Sequence, residues 1–489
     1  MLSPFWQTVP TPLPRPPLRG HQHTDVAVIG AGLAGILTAE RLSERGASVV
    51  VLESARIGSG QTGGTTAKLT AQHGTRYAKL WQQRGEDAAR LYAAVQRRAV
   101  ADLRQLIHER RIACDLTDAD AYLFSLTDRR AMEEEAAAER AAGLPVTFTT
   151  RTELPLNVAG AVRMAGQAHF HPLRLLYALT APLTVYEHSP VRRVEGHTLY
   201  TDRGTLTAEH IVFACHYPFV NFPGLFFARL HQERSYVLAL EGATPPQGMY
   251  LEAGGGLSLR RQGNVLLLGG SGHRTGEQPG GHYAELRAAA AEWFPGAREI
   301  AHWSAQDAVT PDTLPFIGTF AASRPHWYVA TGFGKWGMSA SMTSANLLAD
   351  LIGGYTPPEA ALFDPSRLGV RSLPGVMNES GHAVRGLSRG WIHRSAPERL
   401  ALAPGEGGVV QRGGHTLGLY HAPNGDWYAV DPQCPHLGCA LEWNPDEKTW
   451  DCPCHGSRFD YTGRLIDNPA QRGLPHKKFS ATPGNSRGE

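Results

Sequence analysis

Four side chains near the C-terminal end have the types and spacing of a redox metal centre. Cys434-x-His436 is followed, after fifteen residues, by Cys452-x-x-His455, within the stretches CPHLGC and CPCHGS. Thiolates hold ferric iron, whereas neutral imidazoles leave an iron less electron-rich and raise its reduction potential. Two of each suit a [2Fe–2S] cluster with cysteines on one iron and histidines on the other. Zinc is the rival, because Cys/His pairs at short spacing also bind it. Zinc pairs, however, usually read Cys-x₂₋₄-Cys or His-x₃₋₅-His, and a single-residue gap in the first pair favours the cluster.

A second chemistry-bearing stretch lies near the other end, DVAVIGAGLAGILTAERLSERGASVVVLE. Residues 25–29 predict a strand, Gly30, Gly32 and Gly35 a G-x-G-x-x-G turn, residues 36–44 a helix and residues 47–52 a second strand. Glu53 closes that strand, 18 residues after the last glycine. In this context the glycines let the backbone approach a pyrophosphate, the helix N-terminus stabilises its charge, and Glu53 is placed for ribose hydroxyls. The following loop, residues 53–70, is rich in glycine, serine and threonine, Thr62 among them, and offers amides and hydroxyls to a phosphate or a flavin. FAD or NAD remains open from the fingerprint alone.

Length and composition set the frame. A chain of 489 residues predicts two or more domains. With 42% hydrophobic and 19% charged residues it can bury large cores, and a formal charge of +2 without basic–aromatic runs excludes a nucleic-acid surface. No uninterrupted apolar window reaches transmembrane length, so no transmembrane anchor is expected. The proline-rich start, residues 1–24, reads as an extended leader without the apolar core of a secretory signal, which predicts a cytoplasmic protein. Cys114 and Cys215, outside the cluster loops, read as small buried hydrophobes.

CPHLGC and CPCHGS resemble the cluster loops of the Rieske proteins of cytochrome bc complexes, over roughly the last 80 residues. The resemblance implies that Cys439 and Cys454 form a disulfide pinning the loops together. It also implies that Ser457 donates a hydrogen bond to a bridging sulfide. The family's second donor, a tyrosine, is Phe459 here, so one hydrogen bond to the cluster is lost.

Residues 25–365 resemble the FAD-dependent oxidoreductases of the D-amino-acid oxidase and sarcosine oxidase superfamily. The likeness rests on DVAVIGAGLAG, SGQTGGTTAKLT, TPDTLPFIG and ATGFGKWGM. It implies a Rossmann-like α/β FAD-binding domain (parts about 25–80, 184–222 and 302–352). An antiparallel-sheet substrate domain (about 81–183 and 223–301) would cover one flavin face. Val191 would lie by the adenine. Gly332, Gly334, Gly337 and Met338 form a second glycine turn and helix start; with no acid closing a following strand, they suit the flavin rather than NAD. Arg234, Tyr236, Tyr250, Arg260 and His273 are candidates for substrate contact. Lys335 is another, although the superfamily's carboxylate-binding lysine falls one position later, at Trp336. No histidine lies in residues 59–68 and no cysteine between Cys215 and Cys434, so the FAD is expected to be non-covalent.

Helical periodicity predicts helices over 85–111 and 129–143. His169 and His171 read as a turn into a helix at 172–179 in preference to a metal pair. Residues 366–399 read as a linker, and residues 400–481 as a small all-β Rieske domain with an Asn424-Gly425 turn.

The combined expectation is a dehydrogenase that oxidises a small amine, amino acid or hydroxy compound. Its flavin would pass electrons to the cluster and on to an external protein or quinone acceptor. Two alternatives stay open: a cluster-to-FAD reductase or oxygenase component, and a substrate-free electron-transfer or redox-sensing protein. The Phe459 position carries a prediction. Redox titration of the cluster is expected to give a midpoint below that of the quinol-oxidising relatives, and a fully bc-like potential would refute it.

Overall fold

A computed structural model describes residues 5–277, 280–367, 402–412 and 414–477. All but two residues of the expected 366–399 linker lie outside them. The chain forms two compact units. The first comprises Met1–Leu225, Arg234–Gly272 and His282–Leu373; the second comprises Phe226–Glu233, His273–Gly281 and Pro374–Glu489.

The first unit is built on an eight-stranded sheet. Its order is Phe316–Ala321, Arg324–Thr331, Gly204–Phe213, Gly20–Ile29, Val49–Leu52 and Thr184–Tyr186, with the hairpin Val191–Glu195/Thr198–Thr201 beside it. Gly20–Ile29 runs parallel to both neighbours, and Gly204–Phe213 runs parallel to Arg324–Thr331. Parallel pairing needs long crossovers, so four distant stretches meet here, and strands such as VVVL are apolar because both faces are covered. The first strand begins five residues before the apolar run. Residues 20–24 are mostly exposed and gain their extended form from pairing with Gly204–Ala208.

The helix Leu33–Glu44 packs against Gly337–Ile352. Glu86–Glu109 buries Tyr92, Val95, Ala99, Leu103, Leu106 and Ile107, the face its periodicity predicts. Arg129–Ala141 starts at Asp128, whose carboxylate accepts from the Ala131 amide at 2.9 Å. Among the described residues three α-helices escaped the sequence reading: Arg76–Arg84, which is largely polar, His282–Trp293 and the short Ala360–Phe363.

A nine-stranded sheet holds the expected cap segments. Its order is Arg298–Val309, His231–Glu241, Val265–Arg274, Ser258–Gln262, Met249–Glu252, Thr117–Ser125, Gly160–His169 and Lys68–Leu69, with Val146–Thr149 also pairing Gly160–His169. It is mixed rather than purely antiparallel, because Met249–Glu252 pairs parallel with Thr117–Ser125. That pairing joins the two cap stretches into one surface.

Within the second unit lie a three-stranded sheet (Gly407–Arg412, His415–His421, Trp427–Val430) and a four-stranded one (Glu442–Asn444, Thr449–Asp451, Arg458–Asp460, Leu465–Asp467). Buried Arg458 is ringed by Asp451, Asp467 and Glu447. Burial opposes its charge, but the three carboxylates outweigh that and raise its pKa.

In the first unit, Asp312 of the TPD motif meets Arg367 through two hydrogen bonds of 2.9 Å and Arg84 at 2.8 Å. Burial would raise the Asp312 pKa, but the two guanidinium groups win and hold it below the usual carboxylate range. The contribution is therefore present above the ordinary carboxylate pKa and lost as pH falls through the lowered one. Asp312→Asn is expected to cost about 3–5 kcal/mol near neutral pH, as removal of one partner of a buried pair does. Thermal melts of the variant and the parent should converge at acid pH; melts that stay equally far apart would contradict this.

Candidate redox centres and their geometry

The glycine turn explains itself by contacts. A Cβ on Gly30, at φ +107°, would stand 2.6 Å from the Ala214 carbonyl oxygen, and one on Gly35 would stand 2.0 Å from that of Gly30. These two glycines allow the tight turn and the close strand–helix packing. Gly32 is different, since only the Thr62 hydroxyl comes within 4 Å of its Cβ position. It caps Leu33–Glu44 without any side-chain cap, which leaves an approach to the amides of the helix start. Thr62 accepts from the Leu33 amide at 3.0 Å.

The Glu53 carboxylate accepts from the amides of Ala31 and Ala55, both at 2.9 Å, tying the end of the second strand to the turn. Burial nevertheless raises its pKa. Val191 begins its strand two residues after Ser189, whose amide donates to the Glu53 carbonyl.

The second glycine turn follows Arg324–Thr331. Gly332 and Gly334 take φ of +74° and +52°, and helix Gly337–Ile352 also starts without a side-chain cap. Because Gly20–Ile29, Gly204–Phe213 and Arg324–Thr331 are parallel, both helix starts rise from the same edge of one sheet. Positive ends of two helix dipoles there suit an anionic cofactor.

The substrate candidates make the following contacts in the protein. Arg260 donates to the carbonyls of Thr66, Phe170 and Arg261, to Gln262 and to His169, and its guanidinium faces the Trp6 ring. The Tyr250 hydroxyl accepts from the Glu153 amide, and its ring stacks on Tyr122. Tyr236 stacks on His282. Arg234 donates to Gln306 at 3.2 Å and to Ser304. Lys335 has φ +73°, and its ammonium lies 3.3 Å from the Cβ position of Gly272. His273 belongs to the second unit. His171 caps helix Pro172–Thr180, as the turn reading expects.

A cavity in the first unit is lined instead by Lys68, Thr70, Gln72, Tyr122, Met249 and Trp336, among others. Lys68 donates to the Tyr250 carbonyl at 2.5 Å and to the Ser258 hydroxyl at 2.7 Å. Burial, then the nearby Arg260 cation, lowers its pKa to about 7. Trp336 stacks on His73 at 4.6 Å, and His73 is held by Tyr92 and Ser339. Sequence reading missed Lys68 and Trp336 as lining residues. Only the position of Lys68 in the TTAKLT loop hinted at it.

The cluster loops bring Cys434, His436, Cys452 and His455 together. Cys439 and Cys454 form a disulfide, which leaves Cys434 and Cys452 as free thiols. The sulfurs of Cys439, Cys452 and Cys454 also lie within 4.8 Å of one another, but the disulfide occupies two of them. A hydrogen bond from Cys452, the amides of His436 and Leu437 and the Ser457 hydroxyl hold Cys434 low; donation to Cys434, then burial, raises Cys452.

The His436 and His455 rings lie 4.9 Å apart and nearly perpendicular. Burial lowers their pKa values to about 4 and 3, so both are neutral near pH 7, as ligation requires. Both ring nitrogens of His455 are buried without a hydrogen-bond partner. One of these nitrogens would be taken up by an iron of the cluster, and the orphaned state of the ring fits that use. Phe459 is fully buried among the same cysteines. Cys114 and Cys215 have pKa values pushed up by burial to about 11 and 12, the behaviour of inert thiols.

Fold and site together define a dinucleotide-binding α/β oxidoreductase joined to a small β module for an iron–sulfur cluster. Residues 25–351 match the DAO family, described as FAD dependent oxidoreductase, and residues 391–478 match the Rieske [2Fe-2S] domain. The Bacillus subtilis protein YhfW, named for a Rieske 2Fe-2S centre, is 34% identical over 96% of both chains. The cytochrome b6-f iron-sulfur subunit of Parasynechococcus marenigrum is 28% identical over 32% of this chain and 83% of its own. The crystal structure of glycine oxidase from Geobacillus kaustophilus superposes with a TM-score of 0.62 at 23% identity, covering 71% of this chain and 100% of that one. L-proline dehydrogenase from P. horikoshii superposes with a TM-score of 0.59 at 18% identity, covering 72% and 98%. The chain belongs to the DAO family of FAD dependent oxidoreductases and carries a C-terminal Rieske domain, so its cofactors are FAD and a [2Fe–2S] cluster. Among the described residues, no helix is long and apolar enough to cross a membrane.

Ser457→Ala removes the hydroxyl that faces Cys434. It is expected to lower the cluster midpoint by the worth of one hydrogen bond to a charged group, about 1.5–3 kcal/mol. Cys452→Ser should abolish the cluster signal while the yellow flavin band remains. A Ser457→Ala midpoint equal to wild type would remove Ser457 from the set.

Proposed function

We propose that the protein is a dehydrogenase for a small amine, amino acid or hydroxy compound. FAD, when bound, accepts a hydride equivalent, and the cluster relays single electrons to an external protein or quinone acceptor. Cys434, Cys452, His436 and His455 would hold the cluster, with the Cys439–Cys454 bridge fixing the two loops. Gly32, the helix start after it, Glu53 and Thr62 would hold the nucleotide part of a non-covalent FAD. Val191 would lie by the adenine, and the turn from Gly332 to Met338 would face the flavin.

The cavity carries the reading. It lies between the TTAKLT loop and Trp336, two stretches assigned to the flavin, and it is not purely apolar. A substrate-free carrier needs no polar group there, whereas Lys68, Thr70 and Gln72 supply a cation, a hydroxyl and an amide. Tyr122, Met249 and Trp336 would enclose the apolar body of a substrate and exclude water. Lys68, with a pKa near 7, could hold or release a proton at its ammonium nitrogen. Glycine oxidase and L-proline dehydrogenase are named for oxidising amino acids, which supports that substrate class.

The test is anaerobic. A panel of amines and amino acids is added to the holoprotein, and a true substrate should bleach the flavin and then develop the EPR signal of the reduced cluster. Bleaching that never produces the cluster signal would remove the cluster from the route.

A further inference from the structure

We propose that Gln232 is a positioning residue for the cluster, holding the loop of residues 452–457 in the form that presents His455. The assignment rests on the ligand set proposed above, but not on any substrate or direction of electron flow.

The second unit is not made of C-terminal residues alone, since Phe226–Glu233 and His273–Gly281 are part of it. These stretches flank strands of the oxidase sheet in sequence, and a free-standing Rieske domain would lack them. Gln232 is 2% exposed. Its Nε2 donates to the His455 carbonyl at 2.8 Å and to the Asn468 carbonyl at 3.1 Å. One amide group thus ties the backbone of a proposed ligand to the segment whose Ala470 amide donates to Ser457 at 2.9 Å.

The loop is gripped elsewhere too. Gly456 has φ +76°, and a Cβ there would stand 2.7 Å from the Gln232 Cβ. Gly276, at φ +78°, packs so that its Cβ would stand 2.6 Å from the Pro453 nitrogen. The Phe227 ring meets His455 edge-on, centroids 6.0 Å apart, and the Thr275 amide donates to the Gln232 carbonyl at 3.0 Å, joining the two stretches. Pro453, His455 and Gly456 are therefore each held by residues far away in sequence. A loop that supplies two ligands has little freedom to move before metal geometry suffers, which is why supporting contacts tune metal sites.

The experiment uses the full-length holoprotein with FAD and cluster. Gln232→Met keeps the volume and removes both donors. The readouts are the EPR spectrum of the reduced cluster, its midpoint potential and the rate of iron loss to a chelator. Gln232→Met is expected to keep wild-type FAD content, to shift the g-values and the midpoint, and to lose iron at least tenfold faster. An unchanged spectrum and midpoint in a variant whose parent has a normal Rieske signal would overturn this role alone. A parent without a [2Fe–2S] signal would overturn the ligand set with it. If Gln232→Met gives no folded protein, Gln232→Asn, a donor one methylene shorter, is read the same way, and an unchanged midpoint and spectrum again count against the role.

Discussion

The constraint on which the flavoprotein unit depends is the parallel pairing of Gly20–Ile29 with Val49–Leu52 on one side and Gly204–Phe213 on the other. Parallel neighbours cannot be joined by a tight turn, so each strand must be followed by a long excursion. The ends of the parallel strands then point the same way, and the helix starts gather at one edge. Two of those starts, after Gly32 and after Gly334, have no cap from their own N-cap side chain, although the Thr62 hydroxyl takes the Leu33 amide at the first. The excursions between the strands supply the nine-stranded sheet. Lys68 and Trp336 line the same cavity because one follows the first parallel strands and the other follows the last.

In the cluster unit the governing condition is the neutral state of two desolvated imidazoles, His455 buried and His436 half-buried, on the loops that also carry the two free thiols. Burial disfavours the charged form of each histidine, and it also raises the penalty for a nitrogen left without a partner. The sequence alone could not show that penalty. His455 presents both nitrogens without partners. Such an arrangement is unfavourable in an empty protein and natural around a metal, so the protein's own packing argues for the cofactor its family carries.

The parts legible in the sequence were those whose determinants sit close together along the chain. Gly30, Gly32, Gly35 and Glu53 lie within 24 residues, and the cluster residues within 22. Local spacing therefore carried their geometry. The amphipathic face of Glu86–Glu109 was legible for the same reason. Arg260 reads as a candidate for substrate contact because it is a polar residue of the expected substrate sheet. In the structure it also joins Thr66, His169 and Phe170, partners 90 and more residues away that no local pattern announces. Lys68 and Trp336 were illegible as a pair, being 268 residues apart in sequence.

Gln232 shows the limit most plainly. Nothing in HQERSYVLALE distinguishes a glutamine with a task from one that merely begins a strand. Its meaning comes from Gly456, where a Cβ would meet that side chain first, at 2.7 Å. A glycine in CPCHGS would ordinarily be explained by the turn it makes. Here it also admits a residue from the oxidase part of the sequence, 224 positions earlier. Within the second unit, then, the loop that carries Cys452 and His455 packs against a stretch far earlier in the sequence, so the glycine and the glutamine are read together or not at all.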